Sequence, residues 1–232
     1  MAVPSHLIEL GLGALLKTVN RDIYPKEDYP YGQWSYMVYY EQSFEKATAF
    51  FDADPGAFLR LVYGKGDPSA LTKPAITANV VKEGGWLGGL EKPDPNWKHI
   101  PAERICIPED EYAELTASME KTSFFGADAW YMNHKRNHEY TLRSWKNDGF
   151  LHMPVLFIEA KFDTVCATST STGSEPMRKH CTNLTEVSID AGHWVAQEKP
   201  EETNAAMARW LVEKLKTQWP GYWTNKHADS KL

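Results

Sequence analysis

The sequence predicts an α/β chain in two unequal parts. A helical portion over residues 1–150 is followed by a strand–helix–strand–helix unit over 151–218 and a polar tail over 219–232. Three observations carry that division. Apolar residues recur at helical spacing before residue 150, two short continuous β-rich runs follow it, and those runs stand about 30 residues apart, the size of one parallel crossover unit. With 232 residues and 42% hydrophobic side chains, the chain can fill a real core.

The elements follow in order. The opening MAVPSHLIELGLGALLK holds an apolar run that Glu9 interrupts and no basic residue precedes, which favours an amphipathic helix over a signal peptide or membrane span. Phe44, Ala47 and Phe51 recur at i, i+3 and i+7. So do Tyr112, Leu115 and Met119, which follow the acidic start PEDE of a helix. The stretches YGKGDPSALTKP and EGGWLGGLEKPDPNW are rich in Gly and Pro and read as loops over a lid-like surface. From residue 153, MPVLFIEAKFD reads as a strand buried on both faces and ending at an acid, and LTEVSIDAGH as a second strand. STGSEPMRKHC supplies the helix between them. KPEETNAAMARWLVEKL starts on Pro and two Glu and places Met207, Trp210, Leu211 and Leu215 along one face, as a helix covering the sheet does.

Composition removes several function classes. The net charge is −6 with both signs interspersed, so no basic stripe exists for nucleic acid or for an anionic membrane. Cys106, Cys166 and Cys181 are odd in number and lack metal-type spacing, which points to reduced thiols inside a cell; no metal and no cofactor is expected. Nine Trp and eleven Tyr suggest apolar pockets with polar handles. The chain ends Ser230-Lys231-Leu232, a receptor-read peroxisomal address that acts only at a C-terminus, so a peroxisomal location and an import receptor as partner are expected.

Asp163 and His193 each fall just beyond the end of a predicted strand. The carboxyl ends of strands in open α/β sheets are where reacting groups gather. A carboxylate there that accepts the Nδ1 proton of a histidine fixes the tautomer and leaves Nε2 free as a base.

The runs FIEAKFDTV and IDAGHWVAQEKPEETN resemble the C-terminal third of an α/β-hydrolase, most closely of the soluble epoxide hydrolase branch. PYGQWSYMVYYEQSFEKA resembles the start of that branch's helical cap, and GADAWYMN its second cap motif, so the resemblance runs from about residue 3 to 215. It implies a partial α/β-hydrolase fold: a helical cap followed by the last strand–helix–strand–helix of the sheet. It implies Asp163 as the relay acid, His193 as the base that activates water, and Tyr36 and Tyr131 as phenol donors to the opening ring, with Trp130 and Trp194 at the substrate. One departure is Met132, where the family commonly has Arg. A larger one is that the family's nucleophile turn, G-x-D-x-G, and its His-Gly-x-Pro segment are both missing. The string GADAW with Asp128 lies inside the second cap motif, and Gly173-Ser174 lacks a serine elbow's other glycine.

The resemblance therefore implies a hydrolase that adds water to an epoxide on a fatty-acid-like or polyketide chain, similar to short fungal hydrolases of host-selective toxin pathways. Two alternatives stay open. One is an esterase or dehalogenase using the same acid and base, for which Trp34 and Trp130 are candidate donors. The other is a non-catalytic module that binds an apolar ligand or a full-length homologue. Two parallel strands alone leave Val155, Phe157 and Val187 seeking cover. The cap, a second copy or a full-length homologue is expected to supply it.

Overall fold

The computed structural model describes residues 12–144 and 146–215. The opening run to Gly11 and the whole 219–232 tail, with the terminal Ser230-Lys231-Leu232, lie outside the described residues. Of the amphipathic N-terminal helix, the described part is a short α1, Leu12–Leu16.

The first portion is helical. The longest element, α2 (Ser35–Ala53), is broken at Ser43, whose backbone leaves the helical region. It carries Phe44, Ala47 and Phe51 as expected and runs into α3 (Pro55–Val62). Asp54 caps α3 by accepting the Ala57 N–H, and Pro55 opens it. The buried Arg60 on α3 forms a bidentate pair with Glu109 at the start of α4 (Glu109–Thr122), at 2.7 and 2.8 Å, and its Nε donates to the Ile100 carbonyl. A short α5 (Phe125–Ala129), a 3-10 turn Trp130–Asn133 and α6 (His134–Ser144) complete this part. The two Gly- and Pro-rich stretches contain only short turns, among them Pro68–Thr72 and Pro95–His99, each capped by an Asp side chain.

The core here is aromatic. Tyr36, Tyr40, Phe51, Trp86 and Phe124 are buried, and Phe51 meets Phe58, Trp86 and Phe124 with ring centroids 4.3 to 5.4 Å apart. Rings at such spacing add about 0.5–1.5 kcal/mol per pair beyond the area they bury.

The second portion holds β1 (Val155–Ala160) and β2 (Leu184–Ile189), paired in parallel in the register Val155↔Leu184 to Ala160↔Ile189. Between them runs α7 (Glu175–His180). After them come a single turn α8 (Val195–Glu198) and α9 (Pro200–Lys214), which packs on both strands. This corrects the expectation of strands buried on both faces: Val155 to Glu159 are only half-buried, and Ala160 alone in β1 is fully buried. Apolar runs of that kind require a cover on each side, and among the described residues the sheet has two strands. A groove of about 470 Å³ between β2 and α9, lined by Val187, Ile189, Ala205 and Trp210 among others, reflects the same loose packing.

The two portions are fastened where the loop after β2 meets the segment after α3. Gly66 and Gly192 touch backbone to backbone, so that a Cβ on Gly66 would lie 2.4 Å from the Gly192 nitrogen and 2.6 Å from its Cα. One oxygen of Glu198 accepts both amides, Gly66 N–H at 3.0 Å and Gly192 N–H at 2.9 Å. The adjoining Trp194 stacks on Tyr63 at 4.4 Å and donates its indole N–H to the Val62 carbonyl at 2.8 Å. Gly66→Ala must push these backbones apart, and the expected loss is about 2–4 kcal/mol of unfolding free energy in a denaturant titration. A loss below about 0.5 kcal/mol means that the two loops do not meet in this way.

Candidate active site

The parallel register brings two loops together at the carboxyl ends of the strands. Past Ala160 and Ile189 the ladder continues, with Lys161 N–H donating to the Ile189 carbonyl and Phe162 N–H to that of Ala191. Asp163 and His193 follow directly. Asp163 is 1% exposed, and each of its oxygens is engaged: Oδ1 accepts the N–H groups of Val165 and Cys166 at 2.8 and 2.9 Å, and Oδ2 meets His193 Nδ1 at 2.8 Å. A carboxylate so placed selects the tautomer with its proton on Nδ1 and turns Nε2 outward as a lone pair. The imidazole is 31% exposed, which leaves that nitrogen an approach.

Two phenols are brought together in the first portion. Tyr36 on α2 and Tyr131 in the Trp130–Asn133 turn lie edge to face, with ring centroids 5.4 Å apart. Burial is the main cause that pushes both above the ordinary phenol range, so both remain protonated donors at neutral pH. Tyr40 stacks on Tyr131 at 4.9 Å. Tyr36 and Cys166 belong to one buried cluster, with Tyr131 and Val165 packed against it, so the phenols and the loop that carries Asp163 share a core. The arrangement offers a carboxylate–imidazole pair and two buried hydroxyls. Such a set suits a reaction in which water is deprotonated while negative charge grows on an oxygen.

No family model matches the chain. Among characterised proteins it is similar to epoxide hydrolase A of Mycobacterium tuberculosis, 29% identical over 190 residues, which cover 78% of this chain and 53% of that protein. It is also similar to mouse bifunctional epoxide hydrolase 2, 30% identical over 51% of this chain and 20% of the relative. Among solved structures, epoxide hydrolase A from Mycobacterium thermoresistibile superposes with a TM-score of 0.54 at 26% identity, over 77% of this chain and 52% of that one. The Vigna radiata epoxide hydrolase, at 19% identity and a TM-score of 0.53, shares the fold. The chain is similar in sequence to these epoxide hydrolases and carries part of their α/β-hydrolase fold. It spans about half the length of the mycobacterial relatives.

The structure places the sequence-predicted residues as follows. Asp163 and His193 are in direct contact, and the rings of Tyr36 and Tyr131 meet edge to face. Trp130 is 60% exposed: successive side chains of a 3-10 turn diverge by about a third of a circle, so the turn that points Tyr131 inward sends Trp130 out. Trp194, beside the histidine, stacks on Tyr63 and donates its indole N–H to the Val62 carbonyl. Three participants were not singled out by sequence: Cys166, Glu198 and the surroundings of Asp128. Cys166 directly follows the run FIEAKFDTV, three residues after Asp163, and Glu198 stands inside IDAGHWVAQEKPEETN, five after His193.

Asp128 is no nucleophile on an elbow. It is a 3% exposed carboxyl on α5, accepting the Thr48 hydroxyl at 2.9 Å and bonded to the Tyr40 hydroxyl. Burial is the first cause that raises it to about 6, opposed by the Thr48 and Tyr40 bonds and reinforced by Asp52. A carboxyl whose folded value lies above its unfolded one costs stability once it ionises. Its penalty is absent below about pH 4, where both states are protonated, and grows as pH rises to about 6, by about 2–3 kcal/mol in total. Asp128→Asn is expected to remove that slope from a plot of unfolding free energy against pH between 4 and 6. An unchanged slope in the variant assigns it elsewhere.

Proposed function

We propose that this chain acts in the hydrolysis of an epoxide. His193, oriented by Asp163, takes a proton from water as the water oxygen bonds to a ring carbon. The carbon–oxygen bond opposite breaks, and the leaving oxygen is met by the hydroxyls of Tyr36 and Tyr131. The sum is addition of water to give a diol. The observation that carries this reading is the 2.8 Å contact between Asp163 Oδ2 and His193 Nδ1, and the edge-to-face pair of buried phenols Tyr36 and Tyr131 supports it. Names shared by the relatives support the substrate class. The aromatic lining of the cap suits an apolar epoxide, such as one on a fatty-acid-like or polyketide chain, and a toxin-type biosynthetic route remains part of the proposal. Without a carboxylate on a nucleophile turn, water attacks directly, and a slower rate follows from the loss of a unit that acts in concert.

The second reading, a ligand- or partner-binding module, rests on the lack of G-x-D-x-G and His-Gly-x-Pro strings in the sequence. Side-by-side assays with an alkyl epoxide, a matched ester and a haloalkane separate these readings. Diol formation that falls by about a hundredfold or more in His193→Ala is expected. Turnover of the ester or haloalkane alone overturns the epoxide assignment, and saturable binding with no product in the parent favours the module.

Peroxisomal residence is proposed from Ser230-Lys231-Leu232. A fluorescent protein carrying the last dozen residues is expected to enter peroxisomes, and the same fusion without the final three to remain diffuse. Identical distributions overturn the assignment.

A further inference from the structure

A thiol stands inside the proposed site. Among the described residues, Asp163, Cys166 and His193 form a trio whose ligand-type atoms all lie within 4.8 Å of one another. The chain enforces this: Cys166 is three residues past Asp163, and its own N–H donates to Asp163 Oδ1, so the turn that seats the carboxylate also seats the sulfur. Tyr36 and Cys166 lie in the same buried cluster, against which Tyr131 packs. The sulfur therefore shares a core with the hydroxyl donors and stands within 4.8 Å of a ring nitrogen of His193. It is 4% exposed, and the half-exposed imidazole is its approach.

The other two thiols lack these neighbours. Cys106 donates to the Tyr63 carbonyl at 3.0 Å, and burial pushes it up to about 11. Burial also pushes Cys181 up. Only a thiolate is a competent nucleophile, and burial alone suppresses it. A neighbouring imidazole reverses the balance by accepting the proton at short range.

We propose that Cys166 is a covalent capture site for small epoxides, with His193 as its base. The step rests on the role given to His193 above. Nε2 takes the thiol proton, Sγ bonds to the less hindered ring carbon, and that carbon's bond to oxygen breaks. The oxygen is protonated from the Tyr36–Tyr131 pair, which the imidazolium replenishes. The product is a β-hydroxy thioether, the simple sum of thiol and epoxide, so no oxidant or second reactant is needed. A thioether carbon is not an acyl carbon, and water does not release it. Capture is thus a single event that occupies the site, distinct from turnover.

The test uses the full chain and phenyl glycidyl ether near pH 7.5, with adducts at each cysteine quantified by peptide mass spectrometry and diol measured in the same incubation. In the native parent Cys166 is expected to react at least about ten times faster than Cys106 and Cys181, and that preference is expected to vanish in denaturant. His193→Gln is expected to slow Cys166 about tenfold or more while leaving the other two unchanged. A native parent in which Cys166 reacts no faster than the other thiols overturns the proposal without recourse to any variant. So does a folded His193→Gln protein with an unaltered Cys166 rate. Diol without adduct sinks capture and leaves the hydrolase reading standing, whereas adduct without diol sustains capture and sinks turnover.

Discussion

The contact on which the site depends is a single hydrogen bond, Asp163 Oδ2 to His193 Nδ1, between side chains 30 residues apart. It exists because two strands pair in parallel in one register. A slip by one residue would shift the His193 loop along the ladder by about 3.3 Å, farther than a hydrogen bond can stretch. The register is held past the ends of the strands by Lys161 to Ile189 and Phe162 to Ala191, the last rungs before the loops diverge. Nothing in the acid or the base alone requires their meeting. The sheet supplies it.

A sheet of two half-buried strands is a weak platform, and the fastening between the portions compensates for it. Glu198 ties the amide next to His193 to the Gly66 amide, and Trp194 ties the residue after it to Val62 and Tyr63. The histidine is thereby gripped on both flanks by the first portion. One carboxylate oxygen accepting two backbone N–H groups also satisfies donors that a close glycine-to-glycine approach would otherwise strand. Motion of the segment after α3 is therefore communicated to the base through three hydrogen bonds and one ring stack.

Sequence made the secondary elements and the acid–base pair legible, because both rest on local signals: helical spacing for Phe44, Ala47 and Phe51, continuous β-rich runs for Val155–Ala160 and Leu184–Ile189, and position at strand ends for Asp163 and His193. What it did not reveal is contact across long separations. Glu198 reaches Gly66, and Trp194 reaches Val62, each over 132 residues, and no periodicity encodes such a pairing. Strand burial was misread for a related reason. An apolar run reports what a strand is suited to pack against, not what is present beside it, and Val155 to Glu159 lie half-buried. Nor does motif adjacency to Tyr131 tell which way Trp130 points in a tight turn, where successive side chains diverge and Trp130 is exposed.

The electrostatics of the first portion and of the sheet differ, with burial the leading cause in the first. Within the aromatic cluster the acidic groups are driven toward their protonated forms: Tyr36, Tyr40 and Tyr131 upward beyond the ordinary phenol range, and Asp128 upward to about 6. A phenol in such a place is a donor only, and its stacking on another ring fixes where that donor points. At the sheet the opposite arrangement holds, with a carboxylate surrounded by three N–H donors and an imidazole left partly open to water. The first environment withholds protons from solvent and offers them to whatever lies between; the second accepts them. A molecule held at that boundary meets a donor on one side and an acceptor on the other. The proposed ring opening draws on that polarity rather than on any one residue.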